Sequence, residues 1–149
     1  MSHVRVLVVD DFEPWRRFVS SRLQQHPELL IICEASDGLE AVQKADELQP
    51  DLILLDIGLP TLNGIEAARR ICELAPTAKI LFVSQESSSD VVNEAFRLGA
   101  KGYVIKSCAE DDLLTAVNHI IIGKNFASNG FASYGLSEPV PPPPPDEPL

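Results

Sequence analysis

Apolar residues fall in short blocks separated by stretches of helical period. Five blocks read as strands: Val4 to Val9, Leu29 to Cys33, Leu52 to Leu55, Lys79 to Val83 and Gly102 to Ile105. Each is too short for a helix, and the aliphatic ones read as strands covered on both faces, as in a parallel sheet. Between the blocks the spacing changes to three and four. Trp15, Phe18, Val19 and Leu23 share one helical face, and so do Ala41, Val42, Ala45 and Leu48. Ile65, Ala68 and Cys72 mark a third helix, and Val91, Val92, Ala95 and Phe96 a fourth. Leu113, Leu114, Val117, Ile120 and Ile121 make a fifth. The cluster Ser87 to Ser89 offers the fourth helix an N-cap, while Gly99 and Gly123 stop the fourth and fifth.

Strand and helix alternate five times, which implies a parallel sheet with right-handed crossovers and helices on both faces. The predicted fold is α/β, a flavodoxin-like doubly wound (βα)5 three-layer sandwich with sheet order 2-1-3-4-5. A barrel needs eight such units. A dinucleotide-binding fold needs a glycine-rich turn after its first strand, where this chain has Asp10, Asp11 and Phe12. After Gly123 the pattern fades. Residues 1–123 are therefore expected to form the domain, and residues 124–149 a disordered tail containing the run Pro141 to Pro145.

Composition changes this picture little. A chain of 149 residues with 45% hydrophobic and 23% charged content is an ordinary soluble globular protein of one domain. The net charge of −10 disfavours direct DNA or RNA binding, which needs a positive surface. The adjacent basic pairs Arg16–Arg17 and Arg69–Arg70 sit in helical patterns and read as solvated faces. Cys33, Cys72 and Cys108 show no C-x-x-C pairing and read as reduced, mostly buried thiols. His3, His26 and His119 form no metal or triad pattern and receive no role. There is no signal-peptide core and no run near the ~18 apolar residues of a membrane span, so a cytoplasmic location without membrane contact is expected.

The candidate chemistry lies where the strands end. Asp56 stops the third strand, and Gly58 and Pro60 turn the chain away. In an open parallel sheet, ligands bind outside the carboxyl ends of the strands. In the order 2-1-3-4-5, strands one and three are neighbours, so Asp10 and Asp11 come beside Asp56. Three clustered carboxylates repel one another unless a cation intervenes, and a hard divalent ion such as Mg²⁺ fits oxygen ligands. Taken alone, Asp10 and Asp11 also read as acids at a helix start. Ser84 ends strand four and Lys106 follows strand five, adding a hydroxyl and an ammonium at the same edge. This set suits phosphoryl transfer, whose charge spreads over three equatorial oxygens, with Asp56 as nucleophile.

The chain resembles the receiver domain of two-component response regulators from Val4 to about Gly123. The resemblance is carried by VLVVDD at 6–11, LILLDIGLP at 52–60, LNGIEAARRI at 62–71, ILFVS at 80–84 and GAKGYVIK at 99–106. It implies that a sensor histidine kinase or phosphotransfer protein phosphorylates Asp56. It also implies that Asp10, Asp11, Asp56 and the backbone carbonyl of Gly58 hold Mg²⁺, and that Lys106 pairs with the phosphoryl group. Ser84 is then the switch hydroxyl and Tyr103 the aromatic that swings inward behind it. The α4-β5-α5 surface (fourth helix, fifth strand, fifth helix) would change partners, and a homodimer is compatible with this. LNGIEAARRI and the trailing GKNFAS are most similar to NarL/FixJ-type receivers, here without their usual DNA-binding domain, so a stand-alone receiver is expected. Three positions depart from the pattern. Gly58 lacks a side chain, Gln85 is larger than the usual small residue, and Ser107 replaces a proline, so the Lys106–Ser107 bond is expected to be trans or strained.

Rival chemistries fit less well. A haloacid-dehalogenase-type phosphatase needs D-x-D, whereas Asp10 and Asp11 are adjacent; a serine hydrolase needs G-x-S-x-G around Ser84, and both glycines are missing. The remaining alternative is a receiver-like interaction module that acts without phosphorylation.

Overall fold

The computed structural model describes residues 3–128. Its strands are β1 (Val4–Val9), β2 (Leu29–Ala35), β3 (Leu52–Leu55), β4 (Lys79–Ser84), β5 (Gly102–Ile105) and β6 (Phe126–Ala127). Its helices are α1 (Glu13–Leu23), α2 (Gly38–Leu48), α3 (Gly64–Leu74), α4 (Ser89–Arg97) and α5 (Ala109–Ile121). All pairings are parallel, in the order β2-β1-β3-β4-β5-β6. The five expected strands take the expected order.

Alternation along the strands divides the core into two layers. Leu7, Val9, Ile53, Leu55, Ile80 and Phe82 face one side with Ala41, Ala68, Ile71, Val92 and Ala95 of α2, α3 and α4. Val6, Val8, Leu52, Leu54, Leu81 and Val83 face the other with Val19, Leu23, Leu113 and Val117 of α1 and α5. Period-two strands between two helical layers need apolar residues at every position, which is why these runs do not alternate in polarity. Trp15 and Phe18, on the same helical face as Val19 and Leu23, are half-buried and pack against this second layer.

Side chains cap the starts of α2, α3 and α4. Asp37 accepts from the Glu40 amide at 2.8 Å and Asn63 from the Glu66 amide at 3.0 Å. Within the serine cluster it is Ser88 that caps α4, accepting from the Asp90 amide at 3.2 Å. Gly99 and Gly123, beyond α4 and α5, take φ of +119° and +92°.

The domain extends past Gly123. Phe126 and Ala127 pair with Gly102 and Tyr103, and the fully buried Ser128 donates its amide to the Tyr103 carbonyl at 2.9 Å. The Ser128 hydroxyl accepts from the Ile105 amide at 3.0 Å. This corrects the boundary expected at residue 123: a strand of two residues is too short to show periodicity, and only the free edge of β5 gives it a partner. The proline run lies outside the described residues. Cys33, Cys72 and Cys108 are free and half-buried, more exposed than expected. Among the described residues no helix is long and apolar enough to cross a membrane.

Candidate functional site

Register brings the acids together. β1 and β3 pair Val9 with Leu55, so Asp10 and Asp56 leave the sheet side by side. Their amides stay in the ladder, bonded to the carbonyls of Ala35 and Val9 at 3.1 and 3.2 Å. β4 and β5 pair Ser84 with Ile105, which places Lys106 one step beyond Ser84 at the same edge. A cleft of about 250 Å³ opens there, lined by Asp11, Asp56, Gly58, Ser84, Glu86 and Lys106 among others.

Ligand oxygens of Asp10, Asp11 and Asp56 lie within 4.8 Å of one another. Asp10 is buried, and its Oδ1 accepts from the Phe12 amide at 2.9 Å. Its Oδ2 forms an ion pair with Lys106 Nζ at 2.7 Å. Burial pushes the Asp10 carboxyl above its ordinary range, and the nearby Asp56 charge adds to this; Lys106 and the Phe12 amide oppose it. A buried acid within ligand distance of two more carboxylates fits a hard divalent cation. Asp56 Oδ1 accepts from the Ile57 amide at 2.8 Å, and Oδ2 is 3.5 Å from Lys106 Nζ.

Ser84 is buried, and its hydroxyl accepts from the Glu86 amide at 3.2 Å. Tyr103 lies inward and fully buried, with its hydroxyl donating to the Glu86 carbonyl at 2.8 Å. Gly58 faces open space, since a Cβ added there would meet nothing within 4 Å. The Lys106–Ser107 peptide is trans, and Lys106 opens a single 3₁₀ turn, Lys106–Cys108.

Three contributors escape a reading of the sequence. Gly64 opens α3 against the main chain of the acidic turn: a Cβ there would lie 2.0 Å from the Asp56 carbonyl oxygen. The available signal is glycine, a poor helix former, directly after the Asn63 cap. Arg16, expected on a solvated face, donates to the Asp10 carbonyl at 2.6 Å and pairs with Glu34 at 3.0 Å. Trp15 presents its ring to Lys106 Nζ, 5.0 Å from the centroid. Arg17 and Arg70 do pair on the surface, with Glu13 and Glu66.

The sequence pattern described as the response regulator receiver domain matches residues 6–118. Over 114 residues the chain is 36% identical to the transcriptional regulatory protein LnrK of Bacillus subtilis (strain 168), covering 76% of this chain and 52% of that protein. The chain spans about half the length of the first curated relatives it matches. A two-component response regulator of the LuxR family from Aurantimonas sp. SI85-9A1 superposes with a TM-score of 0.84 at 32% identity, covering 90% of this chain and 96% of that one. A CheX-CheY-BeF3-Mg²⁺ complex from Borrelia burgdorferi gives 0.74 at 27% identity, covering 78% of this chain and 88% of that one. With the pattern spanning most of the folded region and the sheet order shared, this chain belongs to the receiver domain family of two-component response regulators.

Proposed function

We propose that the protein is a phospho-accepting receiver in which Asp56 takes a phosphoryl group from a partner's phosphohistidine. The observation that carries this is the convergence of Asp10, Asp11 and Asp56 with the Lys106 ammonium at the mouth of an open cleft. An Asp56 carboxylate oxygen attacks phosphorus, the P–N bond to the donor imidazole breaks, and the imidazole leaves with a proton. The product is an acyl phosphate on Asp56. Lys106 faces the added oxygens with its positive charge, and the Ser84 hydroxyl donates to one of them once freed from the Glu86 amide.

Asp10, Asp11, Asp56 and the Gly58 carbonyl would hold Mg²⁺, which neutralises charge between the acids and the incoming phosphoryl group. The similar CheY was captured with BeF3 and Mg²⁺, which supports the assignment. The protein acts on itself, promoting its own phosphorylation and dephosphorylation, and not as an enzyme with a separate substrate. A cytoplasmic location and a sensor histidine kinase or phosphotransfer protein as donor belong to this reading, with a downstream partner at the α4-β5-α5 face.

Intact-mass analysis after incubation with Mg²⁺ and acetyl phosphate tests it. Wild type gains one phosphoryl mass and Asp56→Ala gains none. No gain in wild type would establish instead a receiver-like interaction module that works without phosphorylation. The metal assignment has its own readout: Mg²⁺ at a hundredfold excess over its Kd stabilises wild type by about 2.7 kcal/mol in thermal melts, and Asp11→Ala loses this gain.

A further inference from the structure

We propose that Trp15 is a positioning residue for Lys106, its indole face holding the ammonium at the cleft together with the acids; this rests on the phospho-acceptor reading of Asp56. The Lys106 ammonium is attracted by two kinds of group. Asp10 and Asp56 lie 2.7 and 3.5 Å away, and the centroid of the Trp15 ring lies 5.0 Å away. With 14% of the Lys106 side chain exposed, little water screens the attraction of the ring face for the cation. Without the ring, only the acids fix the end of a long flexible side chain, and the ammonium is free to leave the position from which it meets an incoming phosphoryl group.

The ring is itself braced. Trp15 packs on Phe18 with centroids 4.9 Å apart, and the Arg22 guanidinium sits 5.3 Å from the centroid of Phe18. Arg22 then pairs with Glu110 of α5 at 3.2 Å. Positions 15, 18 and 22 follow the helical spacing, so one face of α1 carries a continuous row from the start of α5 to Lys106. The row ends on a second cleft of about 380 Å³, whose lining includes Phe12, Trp15, Ile105 and Lys106. Trp15 is the only tryptophan in the chain, so all tryptophan emission comes from this ring.

The experiment compares Trp15→Phe, which keeps a smaller ring face, with Trp15→Leu, which keeps apolar bulk and has none. With Mg²⁺ and acetyl phosphate, the initial rate of phosphoryl uptake falls about tenfold in Trp15→Leu and by less than about threefold in Trp15→Phe. Independently of any phosphodonor, Lys106→Met changes the wild-type tryptophan emission, because the cation leaves the ring face. An uptake rate in folded Trp15→Leu within about twofold of wild type overturns the proposal, as do equal losses in the two variants. Unchanged emission in Lys106→Met overturns it even where Trp15→Leu does not fold. Absence of uptake in wild type refutes the phospho-acceptor reading and the proposal together, whereas normal wild-type uptake with an insensitive Trp15→Leu refutes the proposal alone.

Discussion

Tyr103 shows what a single position gains from its surroundings. Its ring packs 6.0 Å from Phe82 under the cleft, and its hydroxyl ends on the Glu86 carbonyl. Burial pushes the phenol from its ordinary 10.0 up to about 12; the Ser84 hydroxyl opposes this, and the charges of Glu86 and Asp56 add to it. The folded state therefore holds this proton more tightly than the unfolded chain. The stability it contributes is complete below the unfolded value of 10.0 and is lost as pH rises through about 12. The slope is about 1.4 kcal/mol per pH unit across that window. A spectrophotometric titration checks this: the wild type shows a late phenolate component that Tyr103→Phe lacks, and a Tyr103 that ionises with free tyrosine would refute it. The reactive side chains were legible because a polar residue ending an apolar strand marks the sheet edge. Trp15 and Arg16 were not, since helical spacing tells which face of α1 packs but not what the neighbouring strand ends place above it.

Two helices begin with an Asx-Gly pair, and the pair performs two tasks at once. Asp37 and Asn63 cap α2 and α3, while the glycines let those helix starts press on the loop after β3. The Gly64 amide donates to the Ile57 carbonyl at 2.7 Å, and a Cβ at Gly38 would lie 1.8 Å from the Leu62 carbonyl oxygen. Gly64→Ala is expected to cost about 3 kcal/mol and to slow phosphoryl uptake by displacing Asp56. Asn63→Ala is expected to cost about 1 kcal/mol and leave uptake near wild type. Urea unfolding alongside the mass assay separates the two, and a wild-type midpoint for Gly64→Ala would refute the close approach. The caps are readable from residue type alone. The approach is not, because it depends on where a distant loop passes.

At the scale of the molecule, β6 completes the sheet where the fading pattern suggested a tail. A chain ended after Gly123 loses the Phe126, Ala127 and Ser128 contacts to β5 and is expected to be about 3 kcal/mol less stable than one ended after Ser128. Chemical denaturation of the two truncations checks this, and coincident midpoints would show that the strand adds nothing. Phosphoryl uptake should fall with it, since Ser128 secures the Ile105 amide next to Lys106. β6 also gives the molecule two distinguishable poles. Every strand runs the same way, so Val4 enters at the pole remote from the acids and Ser128 leaves at the reactive one. A label or fusion joined just before Val4 rides on the quiet pole and leaves the chemistry alone. Joined just after Ser128, the same attachment begins beside the Lys106 turn, where it either reports on the cleft or obstructs it.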